Sequence, residues 1–309
     1  MKADKSDVSQ AKSSSKTNLK SDPFVTEMNE PWSADVGIIA EQAYLAFLDV
    51  LKEQRQIISK RLKKAPKPPI IAQNRIDLSD YPEEFNDWVK EYILNDETLK
   101  AMTIDWKDLF NEWILGTIMT VGEINYLNVP VEIPFDPSGK FGKYDFIDDH
   151  LLTWIQGHAE ATSIEIVGVS ADKVRKLIYD TISDGPYSID KVQETLQRDY
   201  VFSDDRARTI ARTEILTAQT TGQFASDMKF ADEGLLLGKI WQDSNDDRVR
   251  ESHQDAHNQF KEFYEPFNVG GELMMYPRDS EMGASAGNVI QCRCTYRLLW
   301  KDKDEDKLK

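Results

Sequence analysis

Cysteine is nearly absent from this chain: two in 309 residues, Cys292 and Cys294, with a single residue between them. That excludes a disulfide framework. A bridge across so short a stretch of extended backbone would be strained, so both thiols are expected to be reduced and made in a reducing compartment. Long apolar runs are missing as well. The longest, near Trp113 to Val121, is about half of the ~20 residues that a membrane span requires, so no membrane partner is expected. The N-terminal run MKADKSDVSQAKSSSKTNLK lacks the apolar segment of a secretory signal, and a cytoplasmically made, soluble protein is the expectation. Histidine numbers only four. No glycine-rich phosphate loop, G-x-S-x-G or H-E-x-x-H occurs, which removes the enzyme classes that announce themselves by motif. Positive charge is in deficit. A formal net charge of −16 excludes a surface that coats nucleic acid throughout, because phosphate binding needs clustered lysine and arginine.

What is present is enough for a packed core: 40% hydrophobic and 10% aromatic residues, in a length that suits two domains or one with an extension. Residues 1–30, rich in Ser, Lys and Asp, read as a disordered tail. Residues 31–130 read as a helical docking region. Its first helix, Ser33 to Lys64, carries a broad apolar stripe and a basic second half (Lys52, Arg55, Lys60, Arg61, Lys63, Lys64, with Lys67 beyond), and Pro66, Pro68 and Pro69 end it. Within the stripe, Leu45, Leu48, Leu51 and Ile58 have the spacing of helix-in-groove anchors, and a proline-rich linker leaves them open to dock a partner. The competing expectation is that this helix folds back onto Trp88, Trp106 and Trp113 as one bundle.

A Pro/Gly-punctuated stretch, Val129 to Tyr144, marks a boundary, and residues 145–234 read as a helical lead-in. Two helices are expected from Asp148 to Val167 and from Val169 to Ser183, stopped by Asp184-Gly185-Pro186. Ser188 and Ser203 then cap further helices, the second ending near Gly234. Arg208 and Arg212 share a face of that helix, and Glu214, on another face, suits a cation from the C-terminal module.

Residues 235–300 read as a small α+β module, with residues 301–309 a charged tail, so the fold class is α+β with a mostly helical N-terminal part. Lys239 to Gln242 is a strand; Ser244-x-x-Asp247 reads as a capping box for a helix from Arg248 to Asn258, with Arg250, His253 and His257 on one face. Val289 to Trp300 is the strongest strand, its alternation placing Ile290, Cys292, Cys294 and Tyr296 together and Arg293 opposite. His253, Cys292 and Cys294 support two readings: three soft ligands for zinc, or a buried, hydrogen-bonded core group, the latter favoured because tetrahedral zinc wants a fourth ligand.

Trp241, Asp247, Arg250 and His253 in that order, a later Pro277-x-Asp279, the terminal C-R-C of Cys292, Arg293 and Cys294, and the upstream Ile210-Ala-Arg212-Thr-Glu214 together resemble the phage head morphogenesis family, minor head proteins similar to protein F of phage Mu. The resemblance runs from about Asp145 to Trp300. Two positions depart from it: Gln291 stands where the family usually has Asn, and His257 where it often has Gly. What the resemblance implies is a minor capsid protein of a tailed phage or prophage, made in the bacterial host cytoplasm and carried inside the head of the virion. Its partners would be the portal and capsid or scaffold proteins, with DNA contacted through residues 1–67 at packaging or ejection. No enzymatic activity and no cofactor are expected. The alternative from another class is a nuclease or toxin-like effector in which His253 does the chemistry.

Overall fold

The structure, a computed structural model, describes residues 33–69, 81–129, 147–183 and 187–304. The expected tail at residues 1–30, the boundary stretch at 130–144, the stop at Asp184-Gly185-Pro186 and the last charged residues from 305 onward lie outside these. The helical body comprises α1 (Ser33–Lys64), α2 (Glu83–Trp88) running into a π-helical turn (Val89–Ile93), α3 (Asp96–Leu127), α4 (Asp149–Ser183), α5 (Ile189–Arg198) and α6 (Asp204–Asp232). The module adds β1 (Leu236–Gln242), α7 (Glu251–Asp255), β2 (Phe260–Lys261), β3 (Phe267–Val269), β4 (Glu272–Met274), α8 (Ala286–Val289), β5 (Thr295–Trp300) and α9 (Lys301–Asp304). The fold is thus α+β, helical first and sheet-bearing last. No helix among the described residues is long and apolar enough to cross a membrane.

Local chemistry starts and stops the helices. Asn95 accepts from the Thr98 amide (2.9 Å), Ser188 from Lys191 (3.4 Å) and Ser203 from Arg206 (3.2 Å), each satisfying an amide that the helix itself cannot. Gly234, at φ 71°, ends the run after α6 in the left-handed region. One expected break is absent: α4 continues through Gly168 as a single helix, because a lone glycine weakens a helix by only about 1 kcal/mol and packing on both sides outweighs it.

Helix α6 is the axis of the body, packed along α1 on one side and α3 on another, while α3 also lies against α4. Its composition permits this. Ala207, Ala211, Thr217, Ala218, Thr220 and Gly222 are small and buried, and the threonines return their hydroxyls to carbonyls one turn back, as Thr217 does to Thr213 (2.8 Å). At Gly222 a Cβ would meet the Ile118 Cα at 2.9 Å, so only glycine lets α3 approach this closely.

The fold corrects the expectation of an open docking stripe on α1. Leu48, Leu51 and Ile58 are buried in the main core, and Phe47 beside them meets the rings of Trp106 (5.4 Å) and Phe110 (5.2 Å) edge-on. Of the four anchors only Leu45, 52% exposed, faces outward. The fold-back bundle prevails because α1 buries its stripe against α6 and α3 within the same chain. The proline segment does not hold it apart: the Trp88 indole donates to the Pro66 carbonyl (3.1 Å).

In the module, β1 is the central strand of an antiparallel sheet ordered β2-β1-β5, with Trp241 opposite Tyr296 and Gln242 opposite Thr295. A Cβ on Gly238 would meet the Lys261 carbonyl at 2.3 Å, so a glycine is required where β2 crosses. β3 and β4 form a hairpin turned by Gly270 and Gly271, both at positive φ. Two small cores result, one around Trp241, Phe267 and Tyr296, the other around Phe230, Phe263 and Trp300, which shares α6 with the body.

The burial difference along α1 is measurable. Leu51→Ala should cost about 2–5 kcal/mol in denaturant unfolding, whereas Leu45→Ala should stay within about 0.5 kcal/mol of wild type. Equal effects at the two positions would contradict the packing described.

Candidate functional site: a sealed histidine and two thiols

The residues singled out by spacing converge on one place, but not by the elements expected. The strand expected from Val289 is confined to Thr295–Trp300. Before it come α8 and a loop in which Gln291 takes φ 56°, so the alternation of faces does not apply there. Cys292 and Cys294 are buried, 2% and 3% exposed, while Ile290, assigned to their face, is 41% exposed. The helix expected from Arg248 to Asn258 shortens to α7, whose N-cap is Arg250, and Ser244 and Asp247 form no capping box. His257 falls beyond it, its Nδ1 3.2 Å from the Asp243 carboxylate.

His253, on α7 and 1% exposed, sits against the two thiols. Its Nδ1 lies 3.2 Å from Cys294 Sγ and 3.6 Å from Cys292 Sγ, and its ring meets the buried Trp241 edge-on at 5.8 Å. The other ring nitrogen, Nε2, is 3.2 Å from Asn288 Oδ1. Asn288 is itself oriented: its Nδ2 donates to Glu272 Oε2 (2.7 Å) and to the Val269 carbonyl (3.3 Å). With the amide nitrogen thus committed, Oδ1 is the acceptor, Nε2 carries the proton, and the Nδ1 lone pair faces the sulfurs. The Glu272 carboxyl is held below the usual range by the Asn288 hydrogen bond and by donation from Ser285. Donation from Cys294 lowers the Cys292 thiol, with the Arg278 guanidinium assisting, and raises Cys294 itself.

Arg278, at φ 73° and 1% exposed, holds the cysteine loop from behind. Its Nη1 donates to the carbonyls of Cys292 (2.8 Å) and Cys294 (2.9 Å), and its Nη2 to Thr220 Oγ1 (3.3 Å) on α6. Burial lowers its pKa, and a guanidinium stays charged all the same. Pro277, beside it, places its carbonyl 3.0 Å from Thr220 Oγ1. Asp279 is buried and accepts from the amides of Met275 (2.8 Å) and Glu281 (2.9 Å), so it fixes the turn; burial raises its pKa. In front, Arg293 makes a two-pronged pair with Asp246, one prong at 2.6 Å, and this partner holds the Asp246 carboxyl well below the usual range. Asp247, the motif acid next to it, is exposed. Arg250 Nη2 donates to the Ile290 carbonyl (2.5 Å).

The upstream cluster divides. Glu214 meets His158 of α4 (Oε2 to Nε2, 2.7 Å) rather than a cation of the module; burial opposes the imidazolium, yet the Glu214 carboxylate outweighs it and raises the His158 pKa. Arg208 pairs with Glu41 (3.1 Å) and covers the Tyr44 ring, both on α1, and Arg212 is half-buried on α6. The module is seated instead by hydroxyls and a carboxylate of α6: Thr213 Oγ1 accepts from the Gln291 amide (3.2 Å), Thr209 Oγ1 from Gln291 Nε2 (2.9 Å), and Asp227 Oδ2 from the Tyr296 hydroxyl (2.6 Å).

Sequence reasoning missed Asn288, Arg278 and Lys239. Lys239, on β1, is fully buried; its Nζ donates to the Met275 carbonyl (2.6 Å) and lies 5.0 Å from the Phe224 ring centre. Burial brings its pKa down to about 7, against the pull of the Asp279 and Asp227 carboxylates. A cation in a Gly-Lys-Ile-Trp strand was visible in the sequence, but nothing there showed it pointing inward.

A small antiparallel sheet docked on a small-residue helix, with a C-R-C loop folded around a buried histidine, defines a class of helix-rich α+β protein. Residues 172–297, from the second half of α4 to β5, match the family described as Phage Mu protein F like protein, a head morphogenesis family, and this stretch is a Mu F-like region. The chain is also 25% identical over 232 residues to the uncharacterized protein YqbB of Bacillus subtilis (strain 168), covering 69% of this chain and 71% of that one. No solved structure matches it.

Two outcomes follow from the buried cations. Arg278→Ala should destabilise the module by about 3–5 kcal/mol, read as earlier cleavage within it in limited proteolysis, since two carbonyls lose their donor. Lys239 is depressed from 10.5 to about 7, so between those values the unfolded chain binds the extra proton and wild-type stability falls as pH falls. Lys239→Met lacks this loss, so its stability advantage over wild type should widen from pH ~10 to pH ~7, by at most about 1.4 kcal/mol per unit, then level off below. A constant difference across that range would contradict it.

Proposed function

We propose that this chain is a minor head protein of a tailed phage or prophage that joins the procapsid in few copies, associates with the portal and remains in the virion. The single observation that carries the reading is the Mu F-like match over residues 172–297, which spans both the seating helix and the module built on it. The burial of the motif residues supports a binding rather than an enzymatic role. His253 is 1% exposed and fixed on both ring nitrogens, so a substrate has no approach to it, and no observation favours the nuclease or toxin-like reading. Portal, capsid or scaffold partners then meet outward faces. Ile38 and Leu45 on α1 and Ile164 and Val169 on α4, each more than half exposed, are among the apolar residues available there. DNA contact belongs to the end of α1, where Lys60, Lys63, Lys64 and Lys67 are exposed.

Mass spectrometry of purified procapsids and virions, together with capture by purified portal protein, tests the assembly role. The protein is expected in both particles at far below major-capsid abundance and on the portal; its absence from particles and failure to bind portal would remove the reading. For DNA, deleting the N-terminal residues would strip α1 from the core, so charge reversal is the cleaner change. Lys60→Glu, Lys63→Glu, Lys64→Glu and Lys67→Glu combined should abolish salt-sensitive retention in filter binding while leaving the fold intact. Unchanged retention would place the DNA contact elsewhere.

A further inference from the structure

We propose that His253, Cys292 and Cys294 form a zinc site, with the ion held by His253 Nδ1 and the two cysteine sulfurs. The spacing of the donor atoms is the first argument. Tetrahedral zinc with Zn–N of ~2.0 Å and Zn–S of ~2.3 Å sets nitrogen and sulfur donors about 3.5 Å apart. Here the two nitrogen–sulfur separations are 3.2 and 3.6 Å, and all three donor atoms lie within 4.8 Å of one another. Side chains two apart on a strand would not reach one imidazole nitrogen in this way. The left-handed turn at Gln291 and the Arg278 grip on both cysteine carbonyls bring the sulfurs to the same side.

The second argument is the orientation of the ring. A metal-binding histidine characteristically gives its other N–H to a fixed acceptor, which sets the tautomer and aims the lone pair. Asn288 supplies that acceptor and is held in turn by Glu272, a carboxylate–amide–imidazole relay that ends in a lone pair pointing at two sulfurs. A single lone pair can take only one thiol proton, so hydrogen bonding ties the second sulfur to the ring only through the first thiol; a cation engages all three donors directly. Thiolate and imidazole ligands select zinc over magnesium or calcium. Two thiolates neutralise the ion, and zinc binding releases both thiol protons to solvent.

The test uses the full-length chain, purified under reducing conditions and free of any metal-binding tag. Elemental analysis should give roughly one zinc per chain, as a structural site does. Chelator should lower the melting temperature and added zinc restore it. Replacing zinc by cobalt(II) should produce visible ligand-field bands and a thiolate-to-metal charge-transfer band, lost in Cys292→Ser/Cys294→Ser. Should that double variant fail to fold, Asn288→Ala decides: it keeps the three ligands and should bind zinc about 10–100-fold more weakly. A zinc-loaded chain that retains no metal and melts unchanged would overturn the proposal. So would cobalt bands that persist in a folded double serine variant, or zinc affinity unaffected by Asn288→Ala.

Discussion

The structure depends on how α6 is shared. A helix buried on nearly every side is usually strongly apolar, yet this one is built of alanine, threonine, glutamine and a buried aspartate. Small side chains let α1 and α3 approach its backbone, and the polar ones serve the module. Asp227 states the constraint most sharply. Its carboxylate is fully buried and takes the Asn125 amide of α3 at 2.7 Å on one oxygen and the Tyr296 hydroxyl of β5 at 2.6 Å on the other. A buried carboxylate is tolerated only when its oxygens are satisfied, so the body and the module must both be in place for α6 to be stable as it is. The module has two small cores of its own and leans on this helix for the rest of its burial.

The second constraint is the backbone at Gln291 and Arg278, both in the left-handed region where non-glycine residues are uncommon. Asparagine tolerates that region better than glutamine. Glutamine is accommodated here because its longer side chain reaches Thr209 Oγ1 at 2.9 Å on α6. Strain in the loop is offset by the seating helix, which again makes α6 the element that the site rests on.

Much of the fold was legible because it was written in local chemistry. Ser188 and Ser203 cap helices as their positions suggested, Gly234 ends one, and the change from helical periodicity to short strands marks the α+β arrangement. The errors have one common origin: periodicity was extended into segments whose geometry is set by distant groups. The alternation around Cys292 and Cys294 implied a strand face, but Arg278, fourteen positions earlier in the chain, curls that segment into a loop. The spacing of Leu48, Leu51 and Ile58 was sound as an apolar stripe, and what could not be read was which surface covers it. Asp246 and Asp247 are indistinguishable as acids beside a turn; only the position of Arg293 decides between them. Buried cations such as Lys239 carry no sequence signature at all, because their cost is met by carbonyls and rings that the fold assembles.

These constraints bear on where recognition can occur. The inner faces of α1, α3 and α6 are consumed by the core, and the reactive residues of the module are sealed within it. What remains for partners is the outward relief of the helical body, acidic overall and basic at the end of α1. On a chain with net charge −16, the exposed Lys60, Lys63, Lys64 and Lys67 are a local basic cluster on an acidic background. Such polarity orients an encounter with a charged partner more than it tightens the final complex. Coupling between that surface and the module passes through α6 as a packed, hydrogen-bonded element. Rotating the module against the body would break the Asp227, Thr213 and Thr220 contacts together, so the two are held as one unit.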